Sequence, residues 1–275
     1  MECIEAIKIT LDDVKSAADR IKDRVRRTPF LETEFCRTQI HPNLKLKLEC
    51  LQVTGSFKAR GANNAVLSLS NEEVQRGIIT ASGGNHGTAV AYAGYKSNAN
   101  TVIYLPKKAA KAKIESLKSW GAEVVLIGEF WDEANAAALE RAQKENMTYI
   151  HPFADPSVIT GQATVAYEML TDSPHIDVIV AGIGGGGLIA GVALAAKTMK
   201  PGIRIIGVEP VGAPTLKTSV ESNAVTTLNQ IDTQAITLAP KQSAAINVDL
   251  VTRLVDEIVL VNDENMREAS KWLFE

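Results

Sequence analysis

Val178-Ile179-Val180-Ala181-Gly182-Ile183-Gly184-Gly185-Gly186-Gly187-Leu188-Ile189-Ala190-Gly191 is the stretch on which the fold turns. Its short apolar run, closed by glycine, reads as a buried strand, and the spacing after Gly187 predicts a helix over 188–199. Strand, glycine loop and helix in that order make half of a βαβ unit. The loop lacks side chains that would block an anion, and its backbone N–H groups converge at the start of the helix.

The same alternation repeats outward from this unit. Strands are predicted over 44–49, 78–80, 101–105, 123–127, 178–181, 205–208 and 257–261. Helices are predicted over 57–68, 86–96, 109–120, 131–144, 158–170 and 188–199, with a last one over 263–274. This pattern argues for an α/β fold, with mostly parallel twisted sheets covered by helices. Ligands of such sheets collect beyond the carboxyl ends of the strands. Residues 82–86 and 184–187 both lie where a predicted strand passes into a helix. At the start of the chain, Thr10-x-x-Asp13 resembles a capping box. The stripe Leu11, Val14, Ala18, Ile21 and Val25 predicts a helix up to Arg26, closed by Thr28-Pro29.

Composition narrows the function classes. With 45% hydrophobic and 22% charged residues among 275, the chain is ordinary globular material. A net charge of −3 and the lack of a basic stripe argue against nucleic-acid binding. Lys107, Lys108, Lys111 and Lys113 read as the solvated face of a helix. There is no cationic start followed by an apolar core, and no stretch approaches a membrane span. Cys3, Cys36 and Cys50 are odd in number and widely spaced, which suits reduced thiols in the cytoplasm. Neither they nor the scattered His41, His86, His151 and His175 offer metal-ligand spacing.

Chemistry centres on Thr54-Gly55-Ser56-Phe57-Lys58-Ala59-Arg60-Gly61. A lysine in isolation is ordinarily a surface residue. Here Gly55-Ser56 supplies a turn and an N-cap, so Lys58 is expected in the first turn of a helix. The positive helix end and burial both disfavour the ammonium form. A neutral amine can form a Schiff base and later take a proton. A further element, Ala81-Ser82-Gly83-Gly84-Asn85-His86-Gly87, places small residues at a helix start, where a carboxylate would accept N–H bonds. A carbonyl cofactor that also carries a phosphate needs both the Lys58 amine and the glycine cradle, which points to pyridoxal 5'-phosphate. One rival stays open: Gly182-x-Gly184-x-x-Gly187, with Glu209 at a strand end, also fits a nicotinamide-dinucleotide fingerprint and hence an oxidoreductase.

Together, TGSFKARGA, SGGNHG, Gly161-Gln162-Ala163-Thr164 and GIGGGGLIAG resemble the fold-type II pyridoxal-phosphate enzymes, in the branch of threonine and serine dehydratases and serine racemase. The likeness runs from about Val14 to the end of the chain. It implies a tryptophan synthase β-like fold with a large cofactor-binding domain at 1–50 and 151–275. A small domain at 51–150 would complete it, with the cofactor in the cleft between them. By the same likeness Lys58 would carry the cofactor and Phe57 would pack beside its ring. Asn85 would meet the ring hydroxyl. Gly184, Gly185, Gly186, Gly187 and Leu188 would bind the phosphate. Ser82, Gly83, Asn85 and His86 would grip the carboxylate of a small amino-acid substrate. The implied reaction is β-elimination from L-threonine or L-serine, giving a 2-oxo acid and ammonia. Racemisation, or a relative that binds ligand without turnover, are the alternatives. A homodimer or larger homo-oligomer is implied as well.

Three departures bear on these expectations. Serine racemases of this branch carry a second serine where Gly83 stands, so elimination is expected over racemisation. Some relatives hold a divalent cation through carboxylates after the strand ending in Glu-Pro. Here Thr215 replaces the aspartate beside Glu209, so no metal is expected. Relatives also continue for several tens of residues past 255–275, which here end at Glu275. The C-terminal part is therefore expected to be missing, and with it the partner of the pyridine nitrogen. Phe153, after His151-Pro152, mildly favours a small aliphatic side chain such as threonine's.

Overall fold

A computed structural model describes residues 9–33 and 40–274; Cys3 and Cys36 lie outside the described residues. In chain order the elements are α1 (Leu11–Ile21), β1 (Phe30–Glu32), β2 (Lys45–Lys47), α2 (Lys58–Leu67), α3 (Asn71–Arg76) and β3 (Ile78–Ala81). Then come α4 (Asn85–Ser97), β4 (Thr101–Leu105), α5 (Lys111–Ser119), β5 (Glu123–Leu126), α6 (Trp131–Glu145), β6 (Thr148–Tyr149) and α7 (Pro156–Asp172). The last part holds β7 (Val178–Gly182), α8 (Gly187–Met199), β8 (Arg204–Pro210), α9 (Thr215–Glu221), α10 (Ala245–Leu254), β9 (Glu257–Val261) and α11 (Asp263–Phe274). The chain divides into two compact units: one of residues 1–15, 28–48 and 163–275, the other of 16–27 and 49–162. The expected small domain, 51–150, falls within the second.

That second unit is built on a four-stranded parallel sheet in the order β5-β4-β3-β6. Every residue of β3 and β4 is buried, as a parallel sheet covered on both faces requires. Alternation sends Ile78 to one face, against Ala62, Val66, Ala89 and Ala93 of α2 and α4. Ile79 goes to the other, against Ala134 and Ala138 of α6. The alanines let the helix backbones lie close to the sheet. Each buried isoleucine contributes about 2 kcal/mol relative to exposure.

In the first unit β7-β8-β9 form a three-stranded parallel sheet, and β1 and β2 pair as a separate antiparallel ribbon. Ile179 and Ile205 are buried, while on the opposite face Val178 and Val180 are 44% and 61% exposed among the described residues.

Two expectations are corrected. The Thr10–Asp13 capping box forms, with Asp13 Oδ2 accepting from Thr10 N at 2.8 Å, but α1 stops at Ile21 and not at Arg26. The Gln52 side chain accounts for this: it accepts from Arg26 N at 2.7 Å and donates to Arg26 O at 2.8 Å, drawing that backbone out of helical register. Ser56 does not cap α2. Phe57 is the cap residue, already in right-handed helical conformation, and makes no side-chain cap bond.

Candidate active site

Each half of the expected site lies within one unit. In the second unit Gly55, at φ +76, makes the predicted turn, and Lys58 opens α2. Its Nζ donates to the Pro152 carbonyl at 2.7 Å and lies 5.2 Å from the centroid of the Phe57 ring. Burial lowers the pKa of this amine to about 8. Below it, Arg60 is fully buried and pairs with Glu49 through Nε–Oε2 and NH2–Oε1 contacts of 2.8 Å each, fixing the first turn of α2.

Two imidazoles accompany the amine. His86 Nε2 meets the Ile150 carbonyl at 3.0 Å, so the ring is an Nε2–H tautomer. Its Nδ1 is buried, with no partner among the described residues. Burial first, then the Lys58 charge, lowers the His86 pKa to about 3. His151 Nδ1 accepts from Ala154 N at 2.9 Å and Phe153 N at 3.2 Å, and its pKa falls to about 4 for the same two reasons. Both rings are neutral near pH 7. The His86 side chain therefore offers a carboxylate no hydrogen, which leaves only its backbone N–H at the start of α4 for that task.

The loop between β3 and α4 has a defined shape. Ser82 Oγ accepts from Gly84 N at 3.3 Å, closing an ST-turn within the loop. Asn85 is exposed, and Gly84 caps α4 with no side-chain bond, so the first N–H groups are not taken up by a cap. A Cβ at Gly87 would run into the Ser82 carbonyl, and one at Gly83 would stand 3.0 Å from Leu105 Cδ2. The Gly161-Gln162 motif has a packing explanation. A Cβ at Gly161 would lie 2.6 Å from Gly61 Cα, and Gln162 Oε1 accepts from Gly61 N at 3.3 Å, where α7 crosses α2.

In the first unit the tetraglycine loop joins β7 to α8. Gly186 caps the 13-residue α8 at φ +94, with no side-chain cap bond. A Cβ at Gly184 would stand 3.3 Å from Leu238 Cα, and one at Gly186 3.0 Å from Asn247 Cβ, so the loop is tailored to bare backbone. The Gly185 carbonyl accepts from Asn247 Nδ2 at 2.7 Å and Ser243 Oγ at 3.0 Å. In a trans peptide this turns the Gly186 N–H the opposite way. Glu209, the acid of the dinucleotide alternative, is committed elsewhere: its oxygens accept from Leu216 N and Lys217 N at 2.8 Å, capping α9. Burial raises its pKa to about 7 despite those bonds.

A buried, desolvated amine and an uncapped helix start with a side-chain-free loop are what pyridoxal phosphate needs, and the residues present fit that group. Sequence reasoning missed Pro152, Ser243 and Asn247. Carbonyl acceptors carry no sequence signature, and Ser243 and Asn247 reach Gly185 across 58 and 62 positions.

Fold and site together define an α/β enzyme of aldehyde-cofactor type. The chain belongs to the family described as pyridoxal-phosphate dependent enzyme, whose model matches residues 21–275. It is 39% identical over 267 residues to an L-threonine ammonia-lyase of Thermotoga maritima, covering 97% of this chain and 67% of that relative. Among solved structures, threonine deaminase isoform 2 from Solanum lycopersicum superposes with a TM-score of 0.92 at 36% identity, covering 96% of this chain and 76% of that one. Maize serine racemase gives 0.92 at 34% identity, covering 97% and 80%. The chain thus spans about two thirds of the curated relative's length. Among the described residues no helix is long and apolar enough to cross a membrane.

Proposed function

We propose that this protein catalyses β-elimination of a β-hydroxy amino acid, L-threonine or L-serine, to a 2-oxo acid and ammonia. The observation that carries the proposal is the buried Lys58 amine with its pKa lowered to about 8. A base works best when its pKa lies near the working pH. When bound, pyridoxal phosphate supplies an electron sink that makes the substrate α-hydrogen acidic. Lys58 and Phe57 would hold its aldehyde end and ring, and Asn85 its ring hydroxyl. Gly184, Gly185, Gly186, Gly187 and Leu188 would hold its phosphate.

The residues of the chain do the rest. N–H groups of the loop at Ser82, Gly83, Asn85 and His86 bind the substrate carboxylate. Lys58 Nζ takes the α-proton and, as the ammonium so formed, gives a proton to the β-hydroxyl, which leaves as water. The remaining enamine adds water and hydrolyses to the 2-oxo acid with loss of ammonia. Gly83 carries no side chain to return a proton on the opposite face, which supports elimination over racemisation.

Borohydride treatment of the loaded protein should trap the cofactor on the Lys58 peptide, and Lys58→Ala should neither trap it nor release 2-oxo acid from L-threonine. Undiminished keto-acid release by Lys58→Ala would sink the proposal. A cytoplasmic homodimer or larger homo-oligomer goes with it, supported by the family likeness and by Cys50, an exposed free thiol. Light scattering on the purified protein tests the assembly.

A further inference from the structure

Within the β5-β4-β3-β6 sheet, one line of carbonyls is served in turn by β6 and its flanks. Gly77 O accepts from Thr148 N at 3.0 Å, and Ile79 O from Ile150 N at 2.9 Å. The even spacing of a parallel ladder makes Ala81 the next acceptor and residue 152 the next donor. Residue 152 is proline and has no N–H. Ala81 O accepts instead from the indole Nε1–H of Trp131, at 2.8 Å.

Trp131 is poorly explained as core filling, because it is 42% exposed at the start of α6. The turn that delivers it is tied down. Glu133 Oε2 accepts from Glu129 N at 2.5 Å and Phe130 N at 3.3 Å, and Lys107 N donates to Gly128 O at 3.0 Å. Ala81 is the last residue of β3. Its carbonyl shares a peptide plane with the Ser82 N–H, so fixing one direction fixes the other.

The geometry points to Trp131 as a positioning residue for the carboxylate-binding loop, its indole N–H replacing the strand donor that Pro152 cannot supply. This rests on the proposed role of 82–86 as that loop. Pro152 then has two effects: it withdraws a ladder donor from Ala81, and its own carbonyl receives the Lys58 amine.

The test is Trp131→Phe in the cofactor-loaded protein, which keeps an aromatic ring and deletes the donor. Losing one hydrogen bond should speed amide hydrogen exchange in residues 82–87 about fivefold, with 101–105 unchanged. KM for L-threonine should rise about fivefold while kcat stays within about twofold. Adding Pro152→Ala returns an N–H at the vacant ladder position, and both readouts should move back toward wild type. Phe130→Ala, beside it and 70% exposed, should change neither. Unaltered exchange in Trp131→Phe overturns the inference. So does a change that Pro152→Ala fails to reverse or that Phe130→Ala reproduces. Should the wild type release no 2-oxo acid, the lyase proposal fails alone, and the exchange measurement still decides the role of Trp131.

Discussion

Lys58 Nζ donates to the Pro152 carbonyl at 2.7 Å, across 94 positions of sequence. A carbonyl dipole supports an ammonium less than a carboxylate does, so burial prevails and the amine loses its proton more readily. Two residues earlier, the Ile150 carbonyl accepts from Thr80 Oγ1 at 2.9 Å and from His86 Nε2 at 3.0 Å. The strand end at 150–152 therefore ties the lysine to β3 and to the first turn of α4 through two carbonyls.

The first prediction concerns that amine. Acylation of Lys58 in cofactor-free protein, followed peptide by peptide, should titrate with a midpoint near pH 8. In urea-unfolded protein the midpoint should return to about 10.4. A native midpoint as high as the unfolded one would remove desolvation as the activating effect.

Glycine substitutions should separate tight contacts from open ones. A Cβ at Gly61 would lie 2.7 Å from Val158 O and 2.8 Å from Val158 Cγ1, whereas one at Gly202 meets nothing within 4 Å. Gly61→Ala is expected to lose about 2–3 kcal/mol in urea unfolding by forcing α2 from α7, with Gly202→Ala within about 0.5 kcal/mol of wild type. Equal stability of the two variants would contradict the close helix crossing.

Stability should also depend on pH, with opposing contributions. Burial and the Lys58 charge hold His86 and His151 at folded pKa values of about 3 and about 4, below the ordinary imidazole value of 6.5. Their contribution is present above pH 6.5 and is lost as pH falls toward those values, because only the unfolded chain then binds the protons. Glu209 works the other way. Its folded pKa of about 7 exceeds 4.5, so the stability it contributes at low pH is lost as pH rises through 7. Two protons against one leave a net loss on acidification of about 2 kcal/mol between pH 6.5 and 5. Glu209→Gln should steepen it. Urea midpoints that stay level over this range would show that neither ring is held neutral.

Much of this was legible in the chain. The strands at 101–105 and 257–261 are readable as short apolar runs alternating with helical patterns, and the final helix follows the last of them. Lys58, Gly83 and the tetraglycine loop stood out because their chemistry needs particular residue types. What escaped was set by tertiary context. Gln52 ends α1 early, β6 is only two residues long, and the Gly87 and Gly161 requirements depend on Ser82 and Gly61 lying within van der Waals reach. Pro152 gave a mixed signal. Its missing N–H can be read from sequence, but the indole that replaces it comes from 21 positions upstream on another element.

The last prediction addresses the anion cradle. Asn247 Nδ2 and Ser243 Oγ hold the Gly185 carbonyl, which orients the Gly186 N–H away from them. Asn247→Ala keeps the Cβ that packs 3.0 Å from the position of a Gly186 Cβ, and so removes the donor without opening the contact. The peptide should then rotate more freely, and the dissociation constant for pyridoxal phosphate should rise about tenfold, equivalent to about 1.4 kcal/mol. Asn247→Asp should weaken binding further, since a carboxylate repels both the Gly185 carbonyl and a phosphate. Ser243→Ala, the longer of the two bonds, should have the smaller effect. Equilibrium dialysis followed by cofactor absorbance reads all three. If Asn247→Asp held the cofactor as tightly as the native chain, the cradle would owe its orientation to something other than this carbonyl clamp.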